Sequence, residues 1–350
     1  MGGQLESKNM YLELREGIDA VVRTLRQAMD QAIEAASFLK DLAGYGVNTG
    51  FVIGSGTSFH ASLFLQNLMN KYTDFSIVAV PASEFAECQP VNSKKYFIIG
   101  FSQSGESSDI VVAFNLARSY NMKTLTITNT PGSTLTRIAD ACIITKAGEE
   151  KAVTATKTFD VQLAASLMLT YALSDKPPAD IEKGAQAAAA VLNAELKAKE
   201  LAAKLAVADH VFCLGKGSGH PIALEAALKL KEAAMIHAEG FASREFLHGP
   251  IQLADEKTPV LLFMPSSEAV WGSQKVLEKL AQYGAPVYII GPRSVNFVNR
   301  VSDWLETPDV GSDIVTLPLA KAAQLLAYYA SIAKGLNPDK PSKLSKVVKY

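Results

Sequence analysis

The stretch GFSQSGESSD, residues 100–109, puts four serines and two glycines directly after the apolar run Tyr96-Phe97-Ile98-Ile99 and directly before Asp109-Ile110-Val111-Val112. An apolar strand that ends in hydroxyls and then opens a helix gathers backbone N–H groups and Ser side chains around one point. Such a place binds an anion without needing Lys or Arg. GSGTS, residues 54–58, repeats the arrangement after the apolar run 51–53. Thr57, Ser58, Ser102, Gln103, Ser104 and Ser107 are therefore candidate ligands of one phosphate. A lone Ser at such a position would be a helix cap, but a cluster beside a second such loop exceeds what capping requires. No Gly-Lys-Ser/Thr follows, so this is not a Walker A loop, and GSGTSFHA lacks the G-x-G-x-x-G spacing of a dinucleotide site.

The second chemically equipped stretch is ALEAALKLKEAAMIHAEGFASREFLHGP, residues 223–250. Glu225, Lys229 and Glu232 follow the spacing i, i+4, i+7 and share one side of a helix, while Leu224, Ala227, Leu228 and Lys231 share another. A stripe of this kind is ordinarily a solvated face. In apolar surroundings it can instead supply a base of raised pKa and a cation for a developing oxyanion. His248, in FLHGP, reads by itself as a structural loop histidine. His60, His210, His220, His237 and His248 have no metal-ligand spacing, so neither a metal nor another cofactor is expected.

These loops need strands and helices to hold them. Residues 10–45 read as helical, and short apolar runs bounded by Gly, Ser or Pro then recur at 51–54, 76–80, 96–101, 124–128 and 142–145. Amphipathic stretches lie between them, the pattern of βαβ units and a parallel sheet covered on both faces. SDKPPAD (174–180) breaks the chain, an Ala/Lys/Glu-rich helix runs to about 206, and strands resume at 210–214, 258–264 and 287–291. The halves look duplicated: VIGSGTS matches CLGKGSG at an offset of 161, and Phe101 matches Phe263 at 162. The serine cluster survives only in the first copy, since Ser102, Gln103 and Gly105 become Met264, Pro265 and Ser267. The fold itself therefore does not demand it.

The expected fold class is α/β, with two tandem doubly wound parallel sheets in three α/β/α layers, an N-terminal helical segment and an extended C-terminal tail. The expected division is 1–45 helical, 46–175 first subdomain, 176–206 linker helix, 207–335 second subdomain and 336–350 tail. At 350 residues, 48% hydrophobic and 20% charged, core size is not limiting. A net charge of −1 gives no reason to expect a nucleic-acid or membrane partner. Cys88, Cys142 and Cys213 form no C-x-x-C pair, which fits a reducing compartment. No secretory signal or apolar run near the ~18 residues of a membrane span is present, and a cytoplasmic location is expected.

SQSGES, ATKTF, EAALKLKE, HAEGF, EFLHGP and the tail NPDKPSKLSKVVKY together resemble the SIS (sugar isomerase) family. Within it they are similar to the isomerase half of glucosamine-6-phosphate synthase and to the stand-alone sugar-phosphate isomerases and deaminases. The resemblance runs over roughly 45–350. It implies that Thr57, Ser58, Ser102, Gln103, Ser104 and Ser107 hold a sugar 6-phosphate, and that Gly56, Val153, Ala155 and Ser345 contact the sugar. It further implies Glu232 as the base moving a proton between C1 and C2, Lys229 as the cation beside it, and His248 as the ring-opening group reaching in from a second subunit of a homodimer. Lys346, in LSKVV, would contact the open-chain sugar and can form a Schiff base.

Two departures shape the expectation. The first cysteine is Cys88, so an N-terminal nucleophile is lacking and glutamine-dependent synthesis is not expected; Ala155 stands where the synthase has a serine. EEKAVTATK (149–157) looks more like the stand-alone deaminases. The leading expectation is deamination of glucosamine 6-phosphate to fructose 6-phosphate and ammonia. An aldose–ketose isomerase of another 6-phospho or 6-sulfo sugar, a deglycase acting on a glycated amino acid, and a non-catalytic sugar-phosphate sensor are the alternatives.

Overall fold

The computed structural model describes residues 8–88, 93–176, 179–293, 301–311 and 313–347. The chain divides into two compact units. One comprises Met1–Ile18, Lys151–Thr156 and Lys183–Leu344; the other comprises Asp19–Glu150, Lys157–Glu182 and Ser345–Tyr350. Each unit is built on a five-stranded parallel sheet covered by helices on both faces, as the alternation of elements predicts.

Helix α1 (Asn9–Gly44) contributes residues to both units. The first sheet is then assembled from β1 (Thr49–Gly54), α2 (Thr57–Tyr72), β2 (Ser76–Pro81), β3 (Tyr96–Ser102), α3 (Ser108–Ser119), β4 (Lys123–Thr128), α4 (Thr134–Ile138), β5 (Ala141–Ile144) and α5 (Lys157–Leu173). Its strand order is β2-β1-β3-β4-β5. After β1 the chain turns to one side to make β2 and then crosses back to the other side to make β3. The loops that leave β1 and β3 therefore flank the topological switch point, where ligands of open α/β sheets bind. The core strand β3 is an apolar run buried from Phe97 onward, as a sheet packed on both faces requires. Ile98, Ile110, Phe114 and Leu135 form the core beneath α3 and α4, while α2 packs on α5.

After α6 (Ala179–Val191), which contributes residues to both units, the second unit runs through α7 (Glu195–Ala206), β6 (His210–Gly215), α8 (Gly219–Ala234), β7 (His237–Ala242), β8 (Val260–Phe263), α9 (Ser267–Gln282), β9 (Val287–Gly291), β10 (Asp303–Glu306) and α10 (Thr316–Ala333). The order β10-β9-β8-β6-β7 is the first sheet's order read from the other edge. The duplication holds in detail, since α2 and α8 both have 16 residues. In both, the glycine ending the strand lies against the helix's first turn. A Cβ at Gly54 would come 2.5 Å from the Ser58 carbonyl carbon, and one at Gly215 would come 2.2 Å from the Gly219 oxygen.

Three elements differ from the sequence reading. Strands β7 and β10 are absent from it because both are sheet edges, where partial exposure (patterns eBiiii and iiBe) replaces the continuous apolar run. The helix expected to run to about 206 is two helices, α6 and α7, joined by a 3₁₀ turn at Leu192–Ala194.

Candidate active site

The two serine-bearing loops leave adjacent parallel strands, with Ile53 of β1 in register with Gly100 of β3. Within the loop after β3, side chains organise the backbone rather than cap the helix. The Gly105 N–H donates to Ser102 Oγ (2.9 Å) and the Glu106 N–H donates to Ser104 Oγ (3.2 Å). Gly105 has φ +65°, and a Cβ there would sit 2.2 Å from Ser133 Oγ, so only glycine fits the turn. The Glu106 carboxylate accepts from the Thr134 N–H (2.7 Å) and hydroxyl (2.9 Å), fixing it to the start of α4. Asn129 donates its N–H to the Gln103 carbonyl at 3.2 Å.

Ser107 occupies the N-cap position of α3, yet its side chain makes no cap hydrogen bond; Gly56 holds the same position before α2, which begins with Thr57 and Ser58. Capping therefore does not account for the hydroxyls. Two helix N-termini with positive partial charge stand beside the switch point. Ser102 is buried, while Gln103, Ser104, Ser107, Thr57 and Ser58 are half-buried. The arrangement can hold a dianion by N–H and O–H donors alone.

On α8 the structure reverses the ordinary expectation for a charged stripe. The Glu225 and Lys229 side chains are each 1% exposed, and Glu232 is 21% exposed. Lys229 Nζ lies 3.5 Å from Glu225 Oε1 and also forms an ion pair with Glu232 Oε2. Lys231, on the other side, is exposed. One buried ammonium thus serves two carboxylates, of which only Glu232 keeps access to its surroundings. A carboxylate able to take a proton, next to a fixed cation, is the equipment of proton transfer beside a polarised carbonyl.

The tail lysine has a definite partner. Lys346 Nζ lies 2.5 Å from Glu150 Oε2. Glu150, whose side chain is 0% exposed, also accepts from the Thr158 N–H (3.1 Å) and hydroxyl (2.7 Å) in the first turn of α5. Ser345 is exposed, and its hydroxyl donates to the Val347 carbonyl at 3.2 Å. The segment bearing Val153 and Ala155, both half-buried, is held separately. Glu13 accepts the N–H groups of Lys151 (2.5 Å) and Ala152 (3.1 Å), and the Val153 N–H donates to the Asp339 carbonyl at 3.0 Å. The Asp339 carboxylate in turn accepts from the Asn9 and Met10 N–H groups at 2.9 and 2.8 Å, capping α1.

His248 follows a 3₁₀ turn, Glu245–Leu247, and is exposed, in contrast to the buried Glu225 and Lys229. Glu13, Glu150, Gln162 and Asp339 carry no sequence signal on their own, because their roles depend on partners far along the chain. Gln162, on α5, donates its amide N–H to the Ser58 hydroxyl 104 residues away. His210 and His237, 27 residues apart, face each other across β6 and β7 with Nδ1 atoms 2.9 Å apart. Among the described residues no group of three or more His, Cys, Asp or Glu side chains could hold a metal. Burial in β6 pushes the Cys213 thiol well above the ordinary thiol range, and burial together with Glu34 raises Cys142, so neither is poised as a nucleophile. No helix among the described residues is long and apolar enough to cross a membrane.

Known proteins match this architecture. The SIS domain model fits residues 45–172 and again 204–334. A glutamine–fructose-6-phosphate aminotransferase (isomerizing) of Shewanella oneidensis is 35% identical over 97% of this chain, which spans 58% of that protein's length. The C-terminal domain of glucosamine-fructose-6-phosphate aminotransferase from Francisella tularensis superposes with a TM-score of 0.86 at 27% identity, covering 96% of this chain and 98% of that one. Glucosamine-6-phosphate deaminase of Thermotoga maritima shares the fold, with a TM-score of 0.73 at 20% identity over 95% of this chain and 99% of that one. With a family model matched twice, once over each sheet, the chain belongs to the SIS domain family.

Proposed function

We propose that this protein is a sugar-phosphate isomerase of the SIS type that deaminates an open-chain amino sugar 6-phosphate, converting glucosamine 6-phosphate to fructose 6-phosphate and ammonia. The observation that carries the reading is the Glu225–Lys229–Glu232 cluster, a buried cation between two carboxylates with one carboxylate left partly accessible.

In this reading Thr57, Ser58, Ser102, Gln103, Ser104 and Ser107 grip the 6-phosphate. That contact is remote from the bonds that change and fixes the register of C1 and C2. His248 moves the protons that open the ring; its exposure suits a group delivered to the site of a partner subunit in a homodimer. Glu232 takes the proton from C2 of the open-chain aldehyde and returns it to C1, while Lys229 stabilises the oxyanion that forms at O1. The product is a ketimine at C2. Water adds to it, ammonia leaves, and the ketose 6-phosphate remains. Lys346, Gly56, Val153, Ala155 and Ser345 contact the sugar chain.

The test measures ammonia and ketose formation from glucosamine 6-phosphate with wild type and Glu232→Gln. Ammonia formed by the wild type and lost in the variant supports the reading. Interconversion of glucose and fructose 6-phosphates without ammonia moves it to plain aldose–ketose isomerisation, and no turnover of either counts against catalysis. Recovery of activity on mixing Glu232→Gln and His248→Ala proteins tests the shared site.

A further inference from the structure

We propose that Gln162 is a positioning residue that aims the Ser58 hydroxyl at the bound anion. The inference rests on reading the cradle as a phosphate site. Gln162 sits on α5 and is 3% exposed, and its Nε2 donates to Ser58 Oγ at 2.9 Å. A serine hydroxyl has one hydrogen to give, and here it accepts the amide's hydrogen and must direct its own elsewhere.

Neighbouring hydroxyls show the ordinary alternative. Ser62 on α2, and Ser166, Thr170 and Ser174 along and just after α5, all donate to the carbonyl one helical turn back, at 2.8–3.0 Å. Ser58 makes no such bond, and its hydroxyl hydrogen has no acceptor among the described residues. It lies in the first turn of α2, at the positive end of that helix's dipole, which favours negative charge. The amide thus converts Ser58 from a group that could satisfy itself locally into a dedicated donor.

The second observation separates this role from packing. Gln162 Oε1 is buried and has no hydrogen-bond partner among the described residues. A buried acceptor left unpaired opposes folding, and an apolar side chain of similar length would avoid that cost. An amide at this place is therefore poorly explained by stability, and well explained by what its N–H does to Ser58.

The experiment titrates inorganic phosphate and a hexose 6-phosphate calorimetrically into wild type, Gln162→Met, Ser58→Ala and the double variant, with thermal unfolding of each. Removing one neutral hydrogen bond should weaken binding by about 3- to 10-fold in each single variant. The double variant should be no weaker than Ser58→Ala, because Gln162 acts through Ser58. Gln162→Met should unfold at or above the wild-type temperature, and the loss in turnover should fall on KM with kcat unchanged. Unchanged affinity in Gln162→Met, or losses that add in the double variant, would overturn the assignment while the cradle stands. A wild type that binds neither probe would overturn the cradle and the assignment together.

Discussion

Replacing Lys229 with Met removes the one ammonium shared by Glu225 and Glu232, and the structure says which carboxylate suffers. Glu232 is 21% exposed and can be hydrated, whereas the Glu225 side chain is 1% exposed and loses a cation 3.5 Å away. At that separation and an effective dielectric constant near 20, the lost attraction is about 5 kcal/mol. Measured losses on breaking buried pairs are about 3–5 kcal/mol, because the remaining charge stays buried without that partner. Lys229→Met should therefore lower the melting temperature by about 6–20 °C. Adding Glu225→Gln should recover part of that loss, because the buried carboxylate that lost this cation is then neutral. Glu232→Gln should cost no more than about 1 kcal/mol, since Lys229 keeps Glu225 and Glu232 is partly solvated. The assay is thermal and urea unfolding of the four proteins, followed by circular dichroism. A Lys229→Met protein that melts within 2 °C of wild type would refute the reasoning, by showing that Glu225 does not depend on this cation.

Three further outcomes follow from the geometry. Gly105→Ala combines a φ of +65° with a Cβ 2.2 Å from Ser133 Oγ, so it should cost about 1–3 kcal/mol and abolish phosphate binding; binding unchanged by titration would exclude the loop as the anion's cradle. Glu150→Gln should release Lys346 and speed tryptic cleavage of the tail, and an unaltered cleavage rate would show that the 2.5 Å pair does not hold it. Burial opposes the charge on Asp140, but hydrogen bonds from the Thr124 hydroxyl and N–H, and from Lys123, outweigh it and hold the carboxyl below the usual range. A carboxyl depressed in the folded state adds stability above its unfolded pKa of about 3.9, and that stability is lost as pH falls through the folded value. Asp140→Asn should therefore destabilise the protein at pH 7 and converge with wild type in acid; a gap that persists in strong acid would contradict the linkage.

The sequence by itself determined the doubly wound class, the duplication, and the identity of the hydroxyl loops and the α8 stripe. Each of these is a local or periodic property. Buried parallel strands must be apolar runs, a loop that meets a helix N-terminus must use small residues, and i, i+4, i+7 positions share a helical side whatever surrounds them. Tertiary structure alone decided that the Glu225–Lys229 side of α8 is buried rather than solvated, because which side of a helix packs inward depends on α10 and the second sheet lying against α8. It also decided the edge strands β7 and β10, whose mixed polarity has no periodic signature. Asp339 capping α1 from 329 residues away, Glu150 holding Lys346 across 196, and Gln162 reaching Ser58 across 104 complete the difference. A hydrogen bond requires two groups at one point in space, and only the folded chain brings such distant positions together.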